Sequence, residues 1–91
     1  MNNYEFVNHP STTVHDICIQ RNITIQQLQE NTNTTELYLN GFFAGQAPIT
    51  IEFALALSAY LDIEFSFWLN LQANYDKEIL DIKQRLADNR E

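Results

Sequence analysis

The chain has 91 residues, 45 % of them hydrophobic, two glycines, two prolines and a formal net charge of −7. That length suits one domain with a modest core, and so little Gly and Pro argues against a turn-rich all-β fold or a disordered chain. The longest apolar stretch, "FALALSAYL", is far shorter than the roughly 20 residues that span a bilayer.

The opening "MNNYEFVNHP" carries neither the basic nor the apolar segment of a signal peptide. Cys18 is the single cysteine, which rules out an internal disulfide. A soluble cytoplasmic protein without a membrane partner is expected.

Taken in chain order, helix one is expected after Pro10, with Ser11 or Thr12 as its cap, running to about Arg21. Val14, Ile17 and Cys18 recur at helical spacing, and Asn22 is a plausible stop. Thr24 then caps a second helix, "IQQLQEN", and "TNT" at 32–34 forms a short polar turn. Thr35 caps a third helix ending near Gly45. Thr50 caps "IEFALALSAYL", where Phe53, Ala54, Leu57 and Leu61 form one face, and "DIE" breaks it. A long last helix begins near Phe65 and continues to about Asn89. In the tail, Ile79, Ile82 and Leu86 make an apolar stripe, and Asp81 and Arg85 form an i, i+4 pair.

Two short helices joined by a tight turn and followed by two more helices suggest a helix-turn-helix bundle. The expected fold is all-α: a five-helix, lambda-repressor-like bundle with a long C-terminal helix. Residues 1–76 form the domain, and 77–91 are a helical extension of it. Leu28, Leu39, Phe42, Leu57, Trp68 and Leu69 fall where the core needs them.

Several stretches carry a sharper match. "NHP" at 8–10, "ITIQQLQENTNTTELYLNGFFAG" at 23–45, "PIT" at 48–50 and "ALALSAYLDIEFSFWLNLQANYD" at 54–76 resemble the HigA antitoxin family. That family belongs to the XRE (Cro/repressor-like) helix-turn-helix group, and "FWLNLQANYD" is close to its hallmark ending. The resemblance covers about three quarters of the chain. It implies a homodimer, operator binding in the promoter of a toxin–antitoxin operon, and neutralisation of a HigB-type ribonuclease toxin.

The residues depart from the family on one face. Where the family places a phosphate-holding Gln, often followed by Lys, this chain has Ile25 and Gln26. The outward positions of the third helix are Thr35, Glu36, Leu37, Asn40 and Gly41, in place of Ser, Arg, Gln or Lys. The basic turn after that helix is here Gly45, Gln46 and Ala47. Thr35, Asn40, Gln46 and Gln26 remain as candidate DNA contacts, since Asn pairs well with adenine. Ile25, Glu36, Leu37 and Gly41 are an altered face that suits a protein contact. Phe67, Trp68, Ile79, Ile82 and Leu86 are candidates for a dimer or partner seam.

Charge points the same way. Arg21 is the only Lys or Arg in the first 61 residues, and Lys77, Lys83, Arg85 and Arg90 all lie near the C-terminus. Affinity for duplex DNA comes largely from such cations displacing phosphate counterions.

No catalytic arrangement is recognisable, and neither a cofactor nor a metal is expected. His15, Asp16 and Cys18 are too close in sequence for a tetrahedral zinc site without other ligands. The expected function is a dimeric HigA-like regulator homologue that binds a protein partner, with operator binding weak or lost. The alternatives are an ordinary operator-binding HigA autorepressor and an acidic, phage-type inhibitor of a nucleic-acid-handling protein.

Overall fold

The structure, a computed structural model, describes residues 8–88. It contains five helices: α1 (Pro10–Gln20), α2 (Ile25–Thr32), α3 (Glu36–Phe43), α4 (Ile51–Leu61) and α5 (Phe65–Asp88). No strand occurs among the described residues.

Local chemistry sets most of the boundaries. Thr24, Thr35 and Thr50 each turn a hydroxyl onto a backbone N–H one turn ahead, at Gln27, Tyr38 and Phe53. Gln27 returns the bond by accepting from Thr24 N–H at 2.9 Å, which completes a capping box. The stops are equally local. Asn22, Asn33 and Gly45 adopt left-handed backbone conformations. The N–H of the next residue then folds back onto the helix, Ile23 onto Cys18, Thr34 onto Gln29 and Gln46 onto Gly41. Asp62, also left-handed, follows α4.

Two expectations change. The cap of α1 is His9 rather than Ser11 or Thr12. Pro10, whose fixed φ and missing N–H suit a first helical position, occupies the first turn. His9 Nδ1 accepts from Ser11 N–H at 3.1 Å. Thr32 is part of α2 rather than of a polar turn. Its side chain is buried, and its hydroxyl donates to the Leu28 carbonyl at 2.6 Å.

The core is built from Val14 and Cys18 of α1, Leu28 of α2, Leu39 and Phe42 of α3, and Phe53, Ala54, Leu57 and Leu61 of α4. Trp68 of α5 and Ile49 of the α3–α4 connector complete it. Leu69 packs against this cluster, partly buried. Burial pushes the Cys18 thiol up from its ordinary pKa, Arg21 opposing; a buried thiol of this kind is inert.

Trp68, expected both in the core and among the seam candidates, is fully buried in its own domain, and Ile82 is buried as well. The α5 helix packs first on α4 and then on α1, so these side chains are covered within one copy. Phe67 and Leu86 remain exposed, with Ile79 half-buried.

Long-range hydrogen bonds fasten the connectors. Tyr38 donates its phenol to the Pro48 carbonyl at 2.6 Å. Gln72 of α5 accepts from Ile49 N–H at 2.8 Å and donates to Asp76.

His9 also joins the aromatic packing. Its ring meets Phe42 edge-on at 5.5 Å and Tyr75 at 4.9 Å. Burial lowers its pKa below the ordinary 6.5, while a hydrogen bond to the Ala47 backbone and the Asp76 carboxylate pull it back up. The folded state therefore holds His9 neutral more firmly than the unfolded chain does. Its stabilising contribution is complete above pH 6.5 and is lost as the pH falls from there through the lower folded value. Protonation would also remove the Nδ1 lone pair that caps α1. Melting curves across this window are expected to lose stability on acidification. His9→Asn, which keeps a cap but does not titrate, is expected to flatten that part of the profile; an unchanged profile would separate His9 from the effect.

Candidate nucleic-acid interface

In a helix-turn-helix, the start of the first motif helix lies along the DNA backbone and the second enters the major groove. Here these are α2 and α3. The Thr24 cap leaves Ile25 and Gln26 exposed at the start of α2. The Thr35 cap leaves Glu36, Leu37 and Asn40 exposed along α3, Leu37 at 84 %. Leu39 and Phe42 point into the core, which sets the rotation of the helix.

The candidate DNA contacts Thr35, Asn40, Gln46 and Gln26 are all exposed. Thr35 is engaged as the α3 cap, its hydroxyl accepting from Tyr38 N–H at 3.0 Å. Gln26 donates to Glu30 at 3.3 Å, on the same helix.

Gly41, expected to face outward, is half-buried. A Cβ there would stand 3.6 Å from the Ala47 side chain, an ordinary contact. Its φ is not in the positive range, unlike that of Gly45 at 78°. Gly41 is thus a helix-interior glycine with room for a methyl group. Gly41→Ala is expected to stabilise the fold by about 0.5–1 kcal/mol, several degrees of melting temperature at this chain size. Gly45→Ala is expected to destabilise it, because a side chain strains the left-handed stop. Thermal unfolding of the two variants checks both signs.

Arg21, the one cation of the first 61 residues, is held at the end of α4. Its Nη1 donates to the Leu61 carbonyl at 2.6 Å. The other described cations, Lys77, Lys83 and Arg85, all stand on α5. Residues 1–76 carry eight carboxylates against Arg21, while residues 77–91 carry four against four. The whole net negative charge therefore belongs to the part of the chain that contains the motif.

Beside α3 lies an open cleft of about 520 Å³, lined by Ser11, Thr12, His15, Ile25, Asn40 and Phe43. It joins α1 to the two motif helices and brings together Ile25 and Asn40 from the expected sites. The sequence did not single out Ser11, Thr12, His15 or Phe43 for a site. Ser11 and His15 are four residues apart on one helix face, but only the packing of α1 on α3 makes that face a wall.

A helix-turn-helix family model matches residues 14–68, more than half of the chain and the whole of the α2–α3 pair. The chain belongs to the helix-turn-helix family. The match is of the XRE type, a non-catalytic DNA-binding regulatory domain. No curated protein matches the chain. Family membership thus gives the domain a DNA-binding ancestry, and its surface in this chain offers phosphates no cation on α2 or α3. Among the described residues no helix is long and apolar enough to cross a membrane.

Proposed function

We propose that this helix-turn-helix protein is a HigA-like regulator homologue that acts as a homodimer through a protein partner, with operator binding weak or lost. One observation carries the second half of the proposal. The single cation of α1–α4 and their connectors, Arg21, is engaged at the Leu61 carbonyl, which leaves α2 and α3 with Glu30 and Glu36 and no positive charge. The HigA assignment is supported by "FWLNLQANYD" at 67–76. With it comes a HigB-type toxin as the partner.

The dimer reading draws on the exposed apolar side chains of α5, Phe67, Leu80 and Leu86. Light scattering at tens of micromolar, roughly the range in which weak dimers dissociate, is expected to report a dimer.

The second reading is an ordinary operator-binding autorepressor, favoured by the exposed Asn40 and Gln46. Titration of the protein with its own promoter DNA at low salt separates the two. Weak binding with a shallow salt dependence fits the first. Nanomolar binding that survives physiological salt establishes the second.

A further inference from the structure

We infer that the surface made by the first half of α1, the start of α2 and the outer face of α3 docks a cationic protein segment, which seats one apolar side chain in the cleft. This rests on the reading of the α3 face as a protein-binding surface, and it names the place and the chemistry of the partner.

The apolar half of the argument is positional. Ile25 and Phe43 line the cleft. Leu37, three residues before Asn40 on α3, is 84 % exposed, and Ile19, four residues after His15 on α1, is 61 % exposed. Helical spacing places each of these on the same side of its helix as a cleft-lining residue. Exposed leucines and isoleucines around a concavity mark an interaction surface more than scattered ones do.

The polar half limits the partner. Asn40, Thr12 and His15 at the rim offer hydrogen bonds without a positive charge at Asn40 or Thr12. Asp16 adjoins His15 on α1, Glu30 stands on α2, and Glu36 is on α3. No Lys or Arg lies on α1, α2 or α3, and Arg21, which follows α1, donates to the Leu61 carbonyl. A partner that complements this field brings Lys or Arg around an aliphatic or aromatic anchor. An anionic polymer is opposed by the same field.

The experiment selects binders to the full-length protein from a phage-displayed library of random 15-residue peptides. Enriched peptides are expected to be net positive with an apolar residue near the middle. Ile25→Ser and Asn40→Arg, each verified as folded by circular dichroism, are expected to weaken them by about tenfold or more. Leu55→Ser, on the exposed outer side of α4, is expected to leave them unchanged. No enrichment, enrichment of neutral or acidic peptides, or equal loss in Leu55→Ser overturns the inference. So does displacement of the peptides by promoter DNA at physiological salt, which would assign the surface to DNA and also overturn the proposed function. Peptides that map instead to α5, with promoter binding weak, remove this surface while the protein-partner reading stands.

Discussion

Replacing Trp68 by alanine is expected to remove a large share of the fold's stability. Trp68 is fully buried and belongs to the cluster that joins α1, α4 and α5. Truncations of buried large aromatics cost about 3–5 kcal/mol, because the surroundings close only partly over the cavity. A domain of this kind has only about 5–15 kcal/mol in total. Urea unfolding should show the midpoint shifting sharply, or no cooperative transition at all. Trp68→Phe separates packing from polarity. The indole N–H has no acceptor among the described residues, and an unpaired buried donor costs about 1–3 kcal/mol. Phenylalanine keeps most of the ring contacts and discards that donor. Its cost is therefore expected to be well under half that of alanine. Equal losses in the two variants would mean that the full width of the indole, rather than an aromatic ring at that site, holds the helices together.

The second large effect concerns DNA. The slope of log K against log salt grows by about 0.9 for each phosphate neutralised on a duplex, and strong binders make about six to ten such contacts. With Arg21 held at Leu61, the wild-type protein is expected to give a shallow slope and weak binding. Glu36→Arg with Leu37→Arg adds two cations and removes one anion per chain at two exposed positions. Neither side chain is part of the core. The double variant is expected to bind duplex DNA more tightly by orders of magnitude at low salt, with a slope steeper by up to about two per chain. Fluorescence anisotropy over a salt series measures both. An unchanged slope would mean that α3 does not approach the duplex even when its charge permits.

Much of this architecture was legible locally. Thr24, Thr35 and Thr50 were readable as caps because a hydroxyl before an apolar periodic run has one obvious use. Asn22 was readable as a stop because Asn tolerates the left-handed backbone. The errors have a common origin. His9 is a rare capping residue, and what fits it for that place is an aromatic site made by Phe42 and Tyr75, 33 and 66 positions away by residue number. Thr32 was read as turn because threonine is polar, whereas a hydroxyl bonded to the Leu28 carbonyl is compatible with burial. Gly41 was placed outward by the resemblance to the family's recognition helix, and only the path of the following loop puts Ala47 against it. Trp68 was legible as a core residue as well as a seam candidate, and the fold buries it; Ile82 was offered to a partner because its stripe is apolar, and spacing tells that a stripe must be covered, not by what. At the candidate interface, the missing cations were visible in the sequence. The engagement of Arg21 was not, because its acceptor lies 40 residues downstream.

The helix ends bear on how freely this surface can diverge. The starts of α2, α3 and α4 are closed by threonine hydroxyls, and the ends of α1, α2 and α3 by backbone bonds behind a left-handed residue. None of these closures uses the side chains of Gln26, Glu36, Leu37 or Asn40. Substitutions at those positions are decoupled from the scaffold's integrity, so the surface can drift between ligand chemistries without passing through unfolded intermediates. Thr35 is the exception: it stands on the same surface but holds α3 in place, and a lineage that changed every outward residue would be constrained there to another N-capping side chain.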